Sequence, residues 1–205
     1  IGGGLLGLEA AVGLQARGPE RGRSVWFEWE RSRTQGWGKV AAPVPGFSGH
    51  GFSLKGEKGR FVLPPDFRKP FAESARGRTL CLAKHDKWPC LTGFLYERTE
   101  TFEAQLDREE ERAIRFGDAE WDREVRMAQL WGFKQLPFDA SGRFVMPELL
   151  IELGGIEDAA FFQGAGQFFT LWAPDALRQM GAAWEASQAA CRALESEAGS
   201  KGRKS

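Results

Sequence analysis

The chain has 205 residues, 28 Lys/Arg against 28 Asp/Glu, a formal net charge of zero and 42% hydrophobic residues. That length allows one ample domain with its own core, and the neutral balance excludes a generic polyanion binder. Three cysteines (Cys81, Cys90 and Cys191) leave one over in any disulfide scheme and form no Cys-x-x-Cys pair, so a reducing cytoplasm is expected. No close set of His, Cys and carboxylate ligands stands in the sequence, and neither a metal nor a cofactor is expected.

Residues 1–47 are rich in Gly and Arg, carry Trp26, Phe27, Trp29 and Trp37, and end near Pro45-Gly46. Ile1 to Ala16 lacks a basic n-region and contains Glu9, unlike an export signal, and is too short to cross a bilayer. The first methionine is Met127. The expectation is that translation begins at a non-AUG codon near Val40, leaving residues 1–39 out of the cellular protein. If those residues are translated, their alternating Arg-Gly and Trp suit single-stranded nucleic acid.

A phrase then occurs twice. Gly56-Glu-Lys-Gly-Arg-Phe-Val-Leu-Pro-Pro-Asp-Phe67 and Asp139-Ala-Ser-Gly-Arg-Phe-Val-Met-Pro-Glu-Leu-Leu150 share Gly-Arg-Phe-Val-x-Pro, with Arg60 and Arg143 83 positions apart. Such a recurrence points to two copies of one supersecondary unit. Gly59 and Gly142 suit turns with positive φ. The apolar runs 61–63 and 144–146 read as short buried strands that end at Pro64 and Pro147. Helices are predicted to follow, opened by proline and an acidic residue. Cys90-Leu-Thr-Gly-Phe94 and Phe168-Phe-Thr-Leu-Trp172 match in turn at an offset of 78, which places five extra residues in copy one, around Lys84–Pro89. The predicted fold is mixed α/β: a single pseudo-symmetric domain in which two intertwined halves close a small β-barrel, flanked by helices.

Between the copies, Phe102 and Leu106 lie four apart, and Trp121, Val125 and Ala128 continue a helical face after a break at Gly117-Asp118. This segment is acidic: residues 97–126 carry eleven Asp/Glu and six Lys/Arg, whereas 55–87 carry nine Lys/Arg and four Asp/Glu. Two readings stand, a charge pattern that orients the protein on a polyanion and a solvated helix pair. A last helix from Pro174-Asp175 sets Leu177, Met180, Trp184, Cys191 and Leu194 in one stripe, fit for packing on the barrel or against a second subunit. The expected organisation is a separate extension over 1–47, a domain over 48–198 and a basic tail over 199–205. Within the domain, repeat one spans about 52–116 and repeat two about 135–180.

Lys58-Gly-Arg-Phe-Val-Leu-Pro and Asp139-Ala-Ser-Gly-Arg-Phe-Val-Met-Pro resemble the paired Asp-x-x-x-Arg motifs of the MraZ family, regulators of the bacterial division and cell-wall gene cluster. The resemblance spans roughly residues 48–180. It implies an AbrB-like swapped-hairpin barrel, a ring-shaped homo-oligomer and binding to tandem double-stranded DNA repeats upstream of its operon, as a repressor in the nucleoid and without a membrane. It implies that Arg60 and Arg143 face DNA with Lys58 beside them, supported by Gly59, Gly142 and Asp139. Copy two matches the motif fully, while in copy one Gly56 stands at the aspartate position with Glu57 next to it.

Two other readings compete with this one. His85, Asp86 and Cys90 lie close enough in sequence for a Cys–His nucleophile, but copy two has Gln163-Gly-Ala-Gly-Gln167 in that place and no phosphate loop is present. The chain is therefore not expected to be an enzyme. An AbrB-like antitoxin would usually carry one copy of the unit rather than two.

Overall fold

The computed structural model describes residues 46–202. The expectations for residues 1–39, and for the last three residues of the tail, lie outside these. Among the described residues there are eight strands: β1 (His50–Leu54), β2 (Arg60–Val62), β3 (Thr79–Lys84), β4 (Leu91–Phe94), β5 (Lys134–Pro137), β6 (Arg143–Val145), β7 (Ala159–Gly164) and β8 (Phe169–Trp172). They form one six-stranded sheet in the order β1-β7-β8-β4-β3-β5 and a separate two-stranded ribbon, β2-β6. Every pairing is antiparallel.

Each copy of the phrase sits at the second strand of a strand–strand–helix–strand–strand series. The first strand of each series pairs with the third strand of the other, as β1 does with β7 and β5 with β3. Equivalent residues meet at the centre, with Thr92 opposite Thr170 and Phe61 opposite Phe144. The short helices after the strands are α1 (Pro65–Arg68), continued by a 3-10 turn over Lys69–Ala72, and α4 (Glu148–Gly154). Pro65 occupies the first position of α1, where a missing N–H costs nothing, and Pro147 caps α4.

The predicted closed barrel does not form. Among the described residues β1 and β5 are open edges of the sheet, and the ribbon pairs with neither. The backbone N–H of Val62, which faces β1, donates to the side-chain Oγ of Ser53 (2.8 Å) instead of to a carbonyl, so a hydroxyl takes the place of a ladder bond. At the other edge β5 ends in Pro137, which has no N–H to offer. The ribbon instead lies as a layer over the sheet: Phe61, Leu63, Phe144 and Met146 share one core with Leu80, Leu82, Leu91, Phe162 and Leu171.

The opposite face of the sheet is buried as well. A helical hairpin of α2 (Phe102–Phe116) and α3 (Arg123–Trp131) packs Phe102, Leu106 and Leu130 on Cys81 and Phe94. A third cluster joins Phe161, Trp172 and Cys90 to Leu177 of α5 (Pro174–Arg178) and Cys191 of α6 (Glu185–Gly202). Burial on both faces explains the unbroken apolar runs of β3, β7 and β8, since successive side chains point to opposite layers.

Several sequence expectations shift. Val125 and Ala128 of α3 are exposed, while Met127 and Leu130 turn inward and Arg126 is largely buried by its ion pairs. The stripe from Leu177 to Leu194 packs on the sheet, but Gly181 separates α5 from α6 and no single helix carries it. α6 runs to Gly202, so the helix extends past the tail boundary placed at 199. Phe47, assigned to the extension, is 2% exposed in the main core and bridges to Gly166. The five extra residues of copy one are divided: 85–90 exceeds 165–168 by two, and 63–78 exceeds 146–158 by three.

Gly142 has φ +83, and a Cβ there would come within 2.6 Å of the Leu63 carbonyl oxygen and 2.9 Å of Arg68 Cδ. Gly59 shares the left-handed backbone (φ +68), yet a Cβ there would meet only Lys55 Cε at 3.9 Å. Gly59→Ala should therefore cost about 1–2 kcal/mol, the left-handed penalty alone. Gly142→Ala should cost more, because backbone must move to admit the methyl. Urea unfolding of both variants checks this, and equal losses would show that the second turn gives way freely.

Candidate nucleic-acid interface

The ribbon β2-β6 alternates exposed, buried, exposed on both strands. Phe61 and Phe144 point inward with ring centroids 6.3 Å apart. Arg60, Val62, Arg143 and Val145 therefore share the outer face. Arg60 pairs in register with Val145, and Val62 with Arg143. The two arginines thus occupy diagonal corners, with Cα atoms roughly 7–8 Å apart, and the valines fill the other corners, 38% and 53% exposed.

The turns before the two arginines have similar backbones and different side-chain support. In copy two, Asp139 Oδ1 accepts from the N–H of Ser141 (2.8 Å) and of Arg143 (3.0 Å), which closes an Asx turn. Its Oδ2 accepts from Arg143 Nε (2.7 Å). The backbone adds Asp139 N–H to Arg143 O (3.0 Å) and Gly142 N–H to Asp139 O (2.9 Å). The Arg143 N–H, then its guanidinium, hold the Asp139 carboxyl below its ordinary range. In copy one, Gly56 N–H donates to Arg60 O (2.8 Å), the counterpart of the Asp139–Arg143 backbone bond. No carboxylate among the described residues holds Arg60, and Glu57 makes no ion pair with it. Lys58 sits at the tip of that turn, exposed, in the left-handed region at φ +58, where a side chain is uncommon.

The structure thus brings Arg60 and Arg143 onto one face, sets Lys58 on the adjoining turn, and makes Asp139 the clamp of Arg143. One supporting residue escapes sequence reasoning. Arg68 of α1 donates from Nη1 to Ala140 O (3.3 Å), propping the second turn from the first copy, while its buried Nε has no partner among the described residues. The contact spans 72 positions and leaves no local signal in the sequence. The expectation that 61–63 and 144–146 are wholly buried fails at Val62 and Val145, because the strand alternation that buries each Phe turns its neighbours outward.

His85 and Cys90 meet through the backbone, the His85 N–H donating to Cys90 O (3.0 Å). Burial pushes the Cys90 thiol up to about 12, and His85 Nδ1 accepts from the N–H groups of Lys87 (3.0 Å) and Trp88 (3.3 Å). All three cysteines are free and buried. Among the described residues no group of three His, Cys, Asp or Glu is placed to hold a metal ion, and no helix is long and apolar enough to cross a membrane.

A mixed α/β domain with an antiparallel sheet, flanking helices and a two-arginine ribbon is the class of protein these features define. No protein-family model matches the chain. Curated relatives do, and three of them carry the description Transcriptional regulator MraZ. The one from Rhodospirillum rubrum is 31% identical over 140 residues, covering 68% of this chain and 86% of the relative. That from Parvibaculum lavamentivorans is 30% identical over 120 residues, 58% of this chain and 70% of its own. That from Hydrogenovibrio crunogenus is 26% identical over 134 residues, 64% and 77%. The chain belongs to the MraZ family.

The asymmetry of the clamp can be read directly. Arg143→Ala removes the guanidinium but keeps the residue-143 N–H, so the Asp139 pKa should rise yet stay below that of an ordinary aspartate. Because its folded value is depressed, the carboxylate's stabilisation of the turn is present above the ordinary Asp pKa and is lost as pH falls through the depressed one. Carboxyl NMR titration of wild type and Arg143→Ala checks this. An unchanged Asp139 pKa would mean that the ion pair does not hold in solution.

Proposed function

We propose that the protein is a sequence-specific DNA-binding transcriptional regulator that reads double-stranded DNA with the outer face of β2-β6. The register that sets Arg60 and Arg143 on one exposed face carries this reading. The major groove admits a two-stranded ribbon, and a guanidinium can grip a phosphate or guanine O6 and N7 in bidentate fashion. Arg143 is held in place by Asp139, so it loses little side-chain freedom on binding. Arg60 must be ordered at that moment, which costs up to about 2 kcal/mol. Lys58 contributes a phosphate contact, and the exposed valines suit a thymine methyl.

The exchange of strands between the two halves supports an AbrB-like swapped-hairpin origin, without barrel closure. In this reading the protein works in the cytoplasm, on the nucleoid, as a repressor of the division and cell-wall gene cluster. A ring-shaped homo-oligomer meets tandem repeats upstream of that cluster, and avidity supplies the strength that one ribbon lacks. Two surfaces support such a head-to-tail assembly. Leu149 and Leu153 of α4 are exposed beside Lys84, Lys87 and Lys134, around a groove of about 710 Å³. Ile114 and Phe116 are exposed in the last turn of α2, beside Arg115. Two different apolar patches make a heterologous contact, which closes into a ring when the rotation allows.

Fluorescence anisotropy on the DNA upstream of the gene, against scrambled DNA, tests the reading. Arg60→Ala/Arg143→Ala should lose about 100-fold or more in specific affinity, since each bidentate base contact contributes about 1–3 kcal/mol. The salt slope should fall by about 1 for each phosphate interaction removed. Specific binding that survives the double change would move the interface elsewhere.

A gain-of-function variant tests the clamp. Gly56 is extended (φ −90, ψ −170), and a Cβ there would meet only Arg60 O, at an ordinary 3.6 Å. Gly56→Asp should therefore fit, hold Arg60 as Asp139 holds Arg143, and raise specific affinity by about 3- to 10-fold through preorganisation. Unchanged affinity would show that Arg60 gains nothing from being held.

A further inference from the structure

On the face of the sheet away from the ribbon, a cavity of about 160 Å³ lies between the β3–β4 hairpin and the helical hairpin. Arg98 lines it. Its guanidinium sits over the rings of Phe94 (5.2 Å), Phe102 (5.8 Å) and Phe168 (5.0 Å), and makes no hydrogen bond or ion pair to any described side chain. Asp86, the carboxylate in the lining, is committed to Arg126 (2.8 Å), which also takes Glu109 (2.6 Å). Arg98 is half-buried, burial lowers its pKa from its ordinary value, and its guanidinium keeps its charge with no carboxylate of its own among the described residues.

The rest of the lining supplies donors. His85 uses Nδ1 as an acceptor for two backbone N–H groups, and burial foremost lowers its pKa, so the neutral ring carries its proton on Nε2. Gln129 accepts from Arg126 Nη1 through its Oε1 (3.2 Å), which leaves the amide NH2 as its free end. The Thr92 hydroxyl also lines the cavity. The charges around it are Lys84, Arg98 and Arg126 against Asp86 and Glu109, one positive charge in excess. The space equals that of about five waters, enough for an inorganic oxyanion or a short carboxylate.

We propose that this cavity binds a small oxyanion, with Arg98 as its principal ligand and the His85, Gln129 and Thr92 donors around it. Phe168 comes from the second repeat and Arg98 from the first, so a bound anion ties the two halves to the helical hairpin. The site is independent of the proposed DNA face.

Inorganic phosphate is the probe, titrated against chloride at matched ionic strength while thermal unfolding is followed. Wild type should show a saturable rise in Tm of about 3–5 °C at ten times the dissociation constant. Arg98→Met should weaken the half-saturation at least tenfold, whereas Arg60→Ala/Arg143→Ala should keep the rise unchanged. A rise that persists in Arg98→Met, or that disappears in the ribbon variant, overturns the site, as does the absence of any saturable rise. Should Arg98→Met fail to fold, the Arg98 Nε–H resonance of wild type decides: it must move on phosphate titration, and a stationary signal overturns the proposal.

Discussion

Phe61 and Phe144 face each other across the ribbon at the one place where the two copies of the phrase touch directly. Both are buried, and both reach into the same core as Leu82, Phe162 and Leu171 of the sheet. Losing either ring would remove about 3–5 kcal/mol, a large share of a domain's net stability. Strand alternation then makes the rest unavoidable. If the two Phe point in, the residues on either side of each point out, so the packing that secures the ribbon also presents Arg60 and Arg143 on its free surface. Core and candidate site are two faces of one register, and a slip by one residue would exchange them.

Two turns with a left-handed glycine in common support two different arginines. In copy two a carboxylate holds both the turn and the guanidinium, and Arg68 props it from the other copy. In copy one the turn is held by backbone bonds alone, and Lys58 accepts a left-handed conformation at its tip. One arm is prearranged and the other adaptable. A pair of that kind tolerates imperfect spacing between the two contacts better than two rigid arms, at the expense of affinity.

The strands of the repeated phrase were legible because three local signals coincide there: a turn glycine, an apolar run and a terminating proline. The open sheet was not legible, because what replaces barrel closure is a hydrogen bond from Val62 to a serine side chain nine positions away. The inward face of α3 was misjudged for a related reason. Arg126 occupies part of it, buried by ion pairs to Asp86 and Glu109, and a hydrophobic pattern counts such a residue as solvent-facing. The break before α6 was marked by Gly181, but the apolar stripe runs through it, and both helical pieces pack on one cluster. For the site, the arginines were visible as a repeated motif, whereas Arg68 acts across 72 positions and could be found only in three dimensions.

Net charge says little about how this protein would meet a polyanion. The acidic residues of 97–126 belong to the helical hairpin, where Arg123 takes Glu103, Asp107 and Glu110 and Arg126 takes Glu109. The hairpin also packs on the sheet face that carries Cys81, while the ribbon packs on the face that carries Leu80 and Leu82. Two packed layers, each about 10 Å deep, therefore stand between the acidic helices and the arginines. No acid of 97–126 pairs with the ribbon's arginines, so a neutral chain still presents a locally basic surface. Within the hairpin, Glu103, Asp107, Glu109 and Glu110 hold two helices together through Arg123 and Arg126, which fits the reading of this segment as a solvated helix pair.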